Sequence, residues 1–111
     1  MEVDYVLHVQ LHWLMALMNI LECADGSYYV GSTRNLHGRV WQHQQGLGAE
    51  YTKSRLPVRL AYAHEFSRVA DAYGMEKRVQ GWSRKKREAL IRGDYAALPN
   101  LSRRRGGREP A

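Results

Sequence analysis

Five side chains between positions 28 and 76 could act together on a phosphodiester: Tyr28, Tyr29, Arg39, His43 and Glu76. Cleaving such a bond takes an activated water, counter-charge for the developing phosphorane and, as a rule, a divalent cation. A tyrosinate or a histidine can take the proton. The planar fork of an arginine can hold non-bridging oxygens. A lone glutamate suits Mg²⁺, which commonly takes one or two carboxylates and keeps its remaining waters.

The frame for these groups starts in residues 19–43. Two short apolar segments flank Ala24-Asp25-Gly26-Ser27, a hairpin signature in which Gly takes the positive φ of the tight turn. Strand one is expected over about 14–22 and strand two over about 27–32. The second ends at Gly31-Ser32-Thr33, where backbone is open to close approach. A helix over about 36–45 follows, capped by Asn35 and stopped by Gly46. Its face carries Leu36, Val40, Arg39 and His43, the last two four residues apart. Gly38 inside it costs about 1 kcal/mol relative to Ala.

The loop 46–57 mixes glycine and short polar residues with Tyr51, Lys53 and Arg55. Its composition suits either a phosphate-contacting loop or a solvated connection. Strand three is expected over 58–66, with Val58, Leu60 and Tyr62 alternating against Arg59, Ala61 and Ala63. Helix two, about 68–80, has an apolar stripe of Val69, Ala72, Tyr73 and Val79, and Glu76 lies on that stripe. Burying a carboxylate costs on the order of several kcal/mol unless it is paired or holds a cation. Glu76 must therefore pair with an arginine, reach water at an edge, or bind a metal. Ser83 caps a third helix, about 84–92, whose face carries Arg84, Lys85, Lys86 and Arg87 and which Gly93 ends. Such a charge run is a solvated face or an extension of a phosphate-binding footprint.

The composition is that of a soluble globular protein: 44% hydrophobic and 25% charged over 111 residues, enough for one domain with a modest core. Lys and Arg number 17 against 11 Asp and Glu, a net charge of +6 that favours a polyanionic partner such as nucleic acid. One cysteine, Cys23, excludes an internal disulfide framework and a multi-cysteine zinc site. It is expected to pack beside strand one as a small hydrophobe, with a reducing, cytoplasmic setting as the default. The apolar run 13–21 is too short to span a bilayer, and residues 1–12 lack the basic start of a secretion signal. Residues 1–12 alternate like a strand, or form an extension outside the core. From Asp94 the pattern fades, and 94–111 reads as a basic, disordered tail. No phosphate-binding loop, dinucleotide fingerprint or His-Glu-x-x-His is present, and the five histidines form no tidy metal cluster.

Three blocks carry a family resemblance: A-D-G-S-Y-Y-V-G-S-T-R-N-L at 24–36 with Arg39 and His43, Y-T-K-S-R-L-P-V-R-L-A-Y at 51–62, and M-E-K-R-V-Q-G-W-S-R-K-K-R-E-A-L-I at 75–91. In this order, across about 16–93, they closely resemble the small single-domain bacterial members of the GIY-YIG nuclease superfamily. That superfamily also includes the N-terminal nuclease domain of the excinuclease C subunit, homing endonucleases and some restriction enzymes. The resemblance implies an α+β fold: a small three-stranded antiparallel sheet flanked by about three helices, in agreement with the element order above. It divides the chain into an extension (1–15), the nuclease-like domain (16–93) and the tail (94–111).

The resemblance also implies roles. Tyr29-Val30-Gly31 matches the second signature triplet, with Tyr29 activating the nucleophile. Arg39 matches the arginine that stabilises the transition state, and His43 a histidine one turn further on. Glu76 matches the metal-binding glutamate, holding Mg²⁺ or Mn²⁺ for one-metal hydrolysis of DNA. Lys53, Arg55, Lys77, Arg84 and Lys85 would contact nucleic acid. One position departs: the first triplet should end in a tyrosine, and Asn19 stands there. Asn can donate a hydrogen bond but cannot act as a phenol base. The alternative is therefore a catalytically weak nucleic-acid-binding module of the same fold.

Overall fold

The hairpin forms where Asp-Gly demanded it. In the computed structural model, which describes residues 15–102, β1 (Ala16–Glu22) and β2 (Tyr28–Thr33) pair antiparallel around Gly26, whose φ is 85°. Asp25 Oδ1 accepts from the Ser27 amide and hydroxyl, which closes the turn on itself. Then come α1 (Leu36–Gln44), the short α2 (Glu50–Lys53), β3 (Arg59–Phe66), α3 (Val69–Gln80), α4 (Arg84–Ile91), a 3₁₀ turn (Tyr95–Ala97) and α5 (Leu98–Ser102). β3 pairs antiparallel with the other side of β1, giving the order β2-β1-β3. The α+β architecture expected from the sequence is present. Among the described residues, no helix is long and apolar enough to cross a membrane.

The sheet has two covered faces, as strand alternation requires. On one, Met18, Ile20 and Val30 pack with Val79 of α3 and Leu90 of α4. On the other, Leu21, Cys23 and Val58 pack with Tyr29, Val40 of α1 and Leu56. Cys23 is thus the small buried hydrophobe that was expected. The register pairs Leu21 with Tyr29 and Asn19 with Gly31, so Asn19 and Tyr29 belong to the α1 face. Glu76, on α3, belongs to the other. Because β2 is the edge strand, both faces meet along it.

Five expectations need correction. The loop 46–57 contains a helix, α2, which brings Thr52 into the interior. The pattern that fades at Asp94 hides two further short helices, and Leu98 packs against the main core. Short segments with a single anchoring residue leave no periodicity to read. The stripe on α3 is narrower than expected: Ala72 and Val79 are buried, but Val69 and Tyr73 are about half exposed. On β3 a register shift opposite Ile20/Leu21 interrupts the alternation and leaves Leu60 exposed. Residues 1–14 and 103–111, where the N-terminal alternation and most of the tail fall, lie outside the described residues.

The charged run of α4 is not one solvated face either. Lys86 is buried with its ammonium 4.0 Å from the Trp82 ring. Arg87 turns back to donate to the Val79 and Gln80 carbonyls, satisfying the open end of α3. The Ser83 cap is present, its hydroxyl accepting from the Lys86 amide at 3.2 Å. The glycine cost assigned to α1 also has a reason. Asn35 Oδ1 accepts from the Gly38 amide, and a Cβ at 38 would fall 2.5 Å from the Asn35 side-chain nitrogen. The cap excludes a side chain there.

Candidate active site

An open cleft at the β2 edge is lined by Tyr28, Tyr29, Val30, Tyr51, Gln80 and Arg87. Strand alternation sends Tyr28 and Tyr29 to opposite faces, so the cleft straddles the edge. On the α1 side, the Tyr29 ring lies 5.2 Å from the His43 ring and stacks on Tyr51 at 6.2 Å. The Arg55 guanidinium covers Tyr51 at 3.9 Å and is tied to Asp25 at 3.1 Å. His43 itself is 1% exposed, and its Nδ1 lies 2.7 Å from Thr52 Oγ1. Burial pushes the His43 imidazole below its ordinary pKa, and the positive charge of Arg39 adds to the effect. The ring is therefore neutral at physiological pH, the form that can accept a proton.

Arg39 donates from Nη1 to Gln42 Oε1 at 3.2 Å and forms no ion pair with a described residue. On the α3 side, Glu76 has a side chain 13% exposed, and Lys77 Nζ lies 3.9 Å away. Ser32 Oγ donates to Glu76 Oε1 at 2.6 Å, and Gln80 Nε2 donates to Oε2 at 2.9 Å. Gln80 also reaches the Val30 carbonyl at 3.3 Å. Glu76 is thus tethered to β2 from behind and is not consumed by Arg39. It lies between the edge cleft, which Gln80 lines, and a second cavity lined by Ser32, Thr33 and Arg34.

The structure joins Tyr29 to His43 directly, with Arg39 close enough to depress His43. Glu76 stands across the β2 edge from them, linked through Ser32 and Gln80. Asn19 is 3% exposed, and its Nδ2 is buried with no hydrogen-bond partner. Four of the five expected nucleic-acid contacts are engaged: Lys53 with Glu50, Arg55 with Asp25, Lys77 with Glu76 and Arg84 with Glu88. Arg84 also stacks over Tyr28 at 4.4 Å. Lys85 is exposed and forms no ion pair with a described residue. Sequence reasoning gave no role to Thr52 or Gln80, and met Ser32 only as open backbone and Arg87 only as one of a charged run. Gln80 could have been found as a polar residue one turn beyond Glu76 on the same helix face.

Of the expected site residues Tyr29 lines the edge cleft, His43 packs behind it, and Arg39 and Glu76 stand off on α1 and α3, all on a β2-β1-β3 sheet flanked by helices. The model of the GIY-YIG catalytic domain matches residues 17–89, and the chain belongs to that family. Its relatives include a UPF0213 protein of Bacillus pumilus, 43% identical over 65% of this chain and 74% of the relative. A UPF0213 protein of Halobacterium salinarum is 41% identical over 65% of this chain and 94% of its own length. The solution NMR structure of a UPF0213 protein from Bacillus halodurans is 37% identical, covering 79% of this chain and 97% of that one, with a TM-score of 0.47.

Family members generally depend on a divalent metal, and the residues present fit one. Among the described residues each Glu76 oxygen accepts a single hydrogen bond and keeps a lone pair, and the carboxylate is paired with Lys77 at 3.9 Å but with no arginine. No group of three or more His, Cys, Asp or Glu that could hold a metal occurs among the described residues. That donor set matches a hard cation held by one carboxylate and water.

Proposed function

We propose that the chain is a divalent-metal-dependent endonuclease that hydrolyses DNA phosphodiester bonds. The observation that carries this reading is the buried, neutral His43 packed behind the ring of Tyr29, which lines the edge cleft. Either group can take the proton of the attacking nucleophile, and His43 is held in the state needed to do so. Arg39, without a carboxylate partner among the described residues, is available for the oxygens of the developing phosphorane. Glu76 would hold Mg²⁺ or Mn²⁺, and the bound cation supplies counter-charge and acidifies its water. Lys53, Arg55, Lys77, Arg84 and Lys85 would hold the nucleic-acid backbone.

A plasmid-nicking assay with and without Mg²⁺, on wild type, Arg39→Ala, Glu76→Ala and Asn19→Tyr, tests this. Wild type should nick only with the metal, and Arg39→Ala should lose about 10²–10³ in kcat. Nicking that ignores both Mg²⁺ and Arg39 sinks the mechanism.

One observation favours a second reading, a weak or inactive binding module. The first-triplet tyrosine is replaced by Asn19, whose buried Nδ2 has no partner. Under it, wild type does not nick, DNA binding survives Glu76→Ala, and binding weakens steeply with salt. A gain of nicking in Asn19→Tyr identifies this position as the limiting defect.

A further inference from the structure

The hydroxyl of Thr52 is completely buried and stands between two partners. It lies 3.0 Å from the Ala49 carbonyl and 2.7 Å from His43 Nδ1. A hydroxyl has one proton to give. If that proton went to His43, the Thr52 and Ala49 oxygens would face each other lone pair to lone pair at hydrogen-bonding distance. Donation to the carbonyl avoids this and leaves Thr52 Oγ1 able only to accept from the ring. Nδ1 must then carry the imidazole proton, and Nε2 must carry the lone pair.

The ring has little freedom to escape this choice. Tyr29 packs against it from β2, and Gly48 lies so close that a Cβ there would meet Nδ1 at 2.4 Å. The ionisable groups beside His43 are Arg39 on its own helix and Tyr29 on β2. Among the described residues no carboxylate hydrogen-bonds the ring to hold the tautomer instead. The helix α2 matters here because its first turn delivers both Thr52 and the Ala49 carbonyl.

We infer that Thr52 is the positioning residue of the site, fixing His43 as the Nδ1–H tautomer so that Nε2 is the basic nitrogen. This rests on the nuclease reading for its catalytic consequence, but not for the tautomer. The test therefore has two readouts on wild type, Thr52→Ser and Thr52→Val. In long-range ¹⁵N–¹H NMR, wild type and Thr52→Ser should show His43 with Nδ1 protonated and Nε2 bare. Thr52→Val, close in shape but without the hydroxyl, should lose that pattern. In nicking, Thr52→Val should drop kcat by about 10²-fold, the low end of what a general base supplies. DNA affinity should be unchanged, and Thr52→Ser should restore the rate. Wild type found as Nε2–H, or Thr52→Val retaining the Nδ1–H pattern, overturns the inference. So does Thr52→Val nicking at the wild-type rate. If wild type does not nick at all, the nuclease reading falls, and the NMR result alone decides the role of Thr52.

Discussion

His43 makes its own demand on stability. Its pKa is depressed in the folded chain because the ring is buried and Arg39 stands near. Unfolded, it returns to the ordinary value near 6.5. As pH falls through 6.5 the unfolded chain takes a proton that the folded chain refuses, so stability is lost until the folded pKa is passed. The slope of one proton is at most about 1.4 kcal/mol per pH unit. Asp25 and Asp71, whose pKa values are lowered from 3.8, begin to contribute only further down. Urea unfolding of wild type between pH 7.5 and 5 should show this loss, and His43→Gln should flatten it. Equal slopes in both proteins would assign the effect elsewhere. The type of residue at 29, 39, 43 and 76 was legible in the sequence, because reactive groups announce themselves. Thr52 was not, because only a tertiary contact turns a loop hydroxyl into a partner of His43.

The elements explain which departures from pattern matter. Glu76 was readable as an oddity on α3, but its restraint by Ser32 and Gln80 depends on how α3 crosses β2. α2 was hidden in a glycine-bearing loop, since four helical residues give no period. The approach of that loop to α1 can be tested at Gly48. A Cβ there would lie 2.4 Å from His43 Nδ1 and 2.7 Å from Cε1, and the buried ring has no room to yield. At Gly31 the added carbon would meet Tyr29 at 3.6 Å and Asn19 at 4.0 Å, ordinary contact. Gly48→Ala should therefore cost about 1–3 kcal/mol in chemical denaturation, the usual range for overpacking. Gly31→Ala should change stability by well under that amount. A neutral Gly48→Ala would mean the loop and ring separate easily, and the tight seat of His43 would not stand.

At the scale of the molecule, charge is the property most visible in the sequence and least informative about where it acts. The net +6 counts every cation equally, yet several are already answered by carboxylates. A phosphate that recruits Lys53 must compete with Glu50, and the pair's separation weakens the gain. Lys85, exposed and without an ion pair among the described residues, faces no such competition. The observable is the slope of log K against log salt, about −0.9 per phosphate neutralised on duplex DNA. Lys85→Ala should weaken binding and make that slope shallower by roughly one such unit. Lys53→Ala should move it by less, because Glu50 then stands free to repel the backbone but no counterion-releasing contact of full strength is lost. Titrations of a fluorescent duplex from low to high salt would read both slopes. If Lys53→Ala flattens the slope as much as Lys85→Ala, pairing within the protein does not set the footprint, and the bound surface follows the raw charge of the sequence instead.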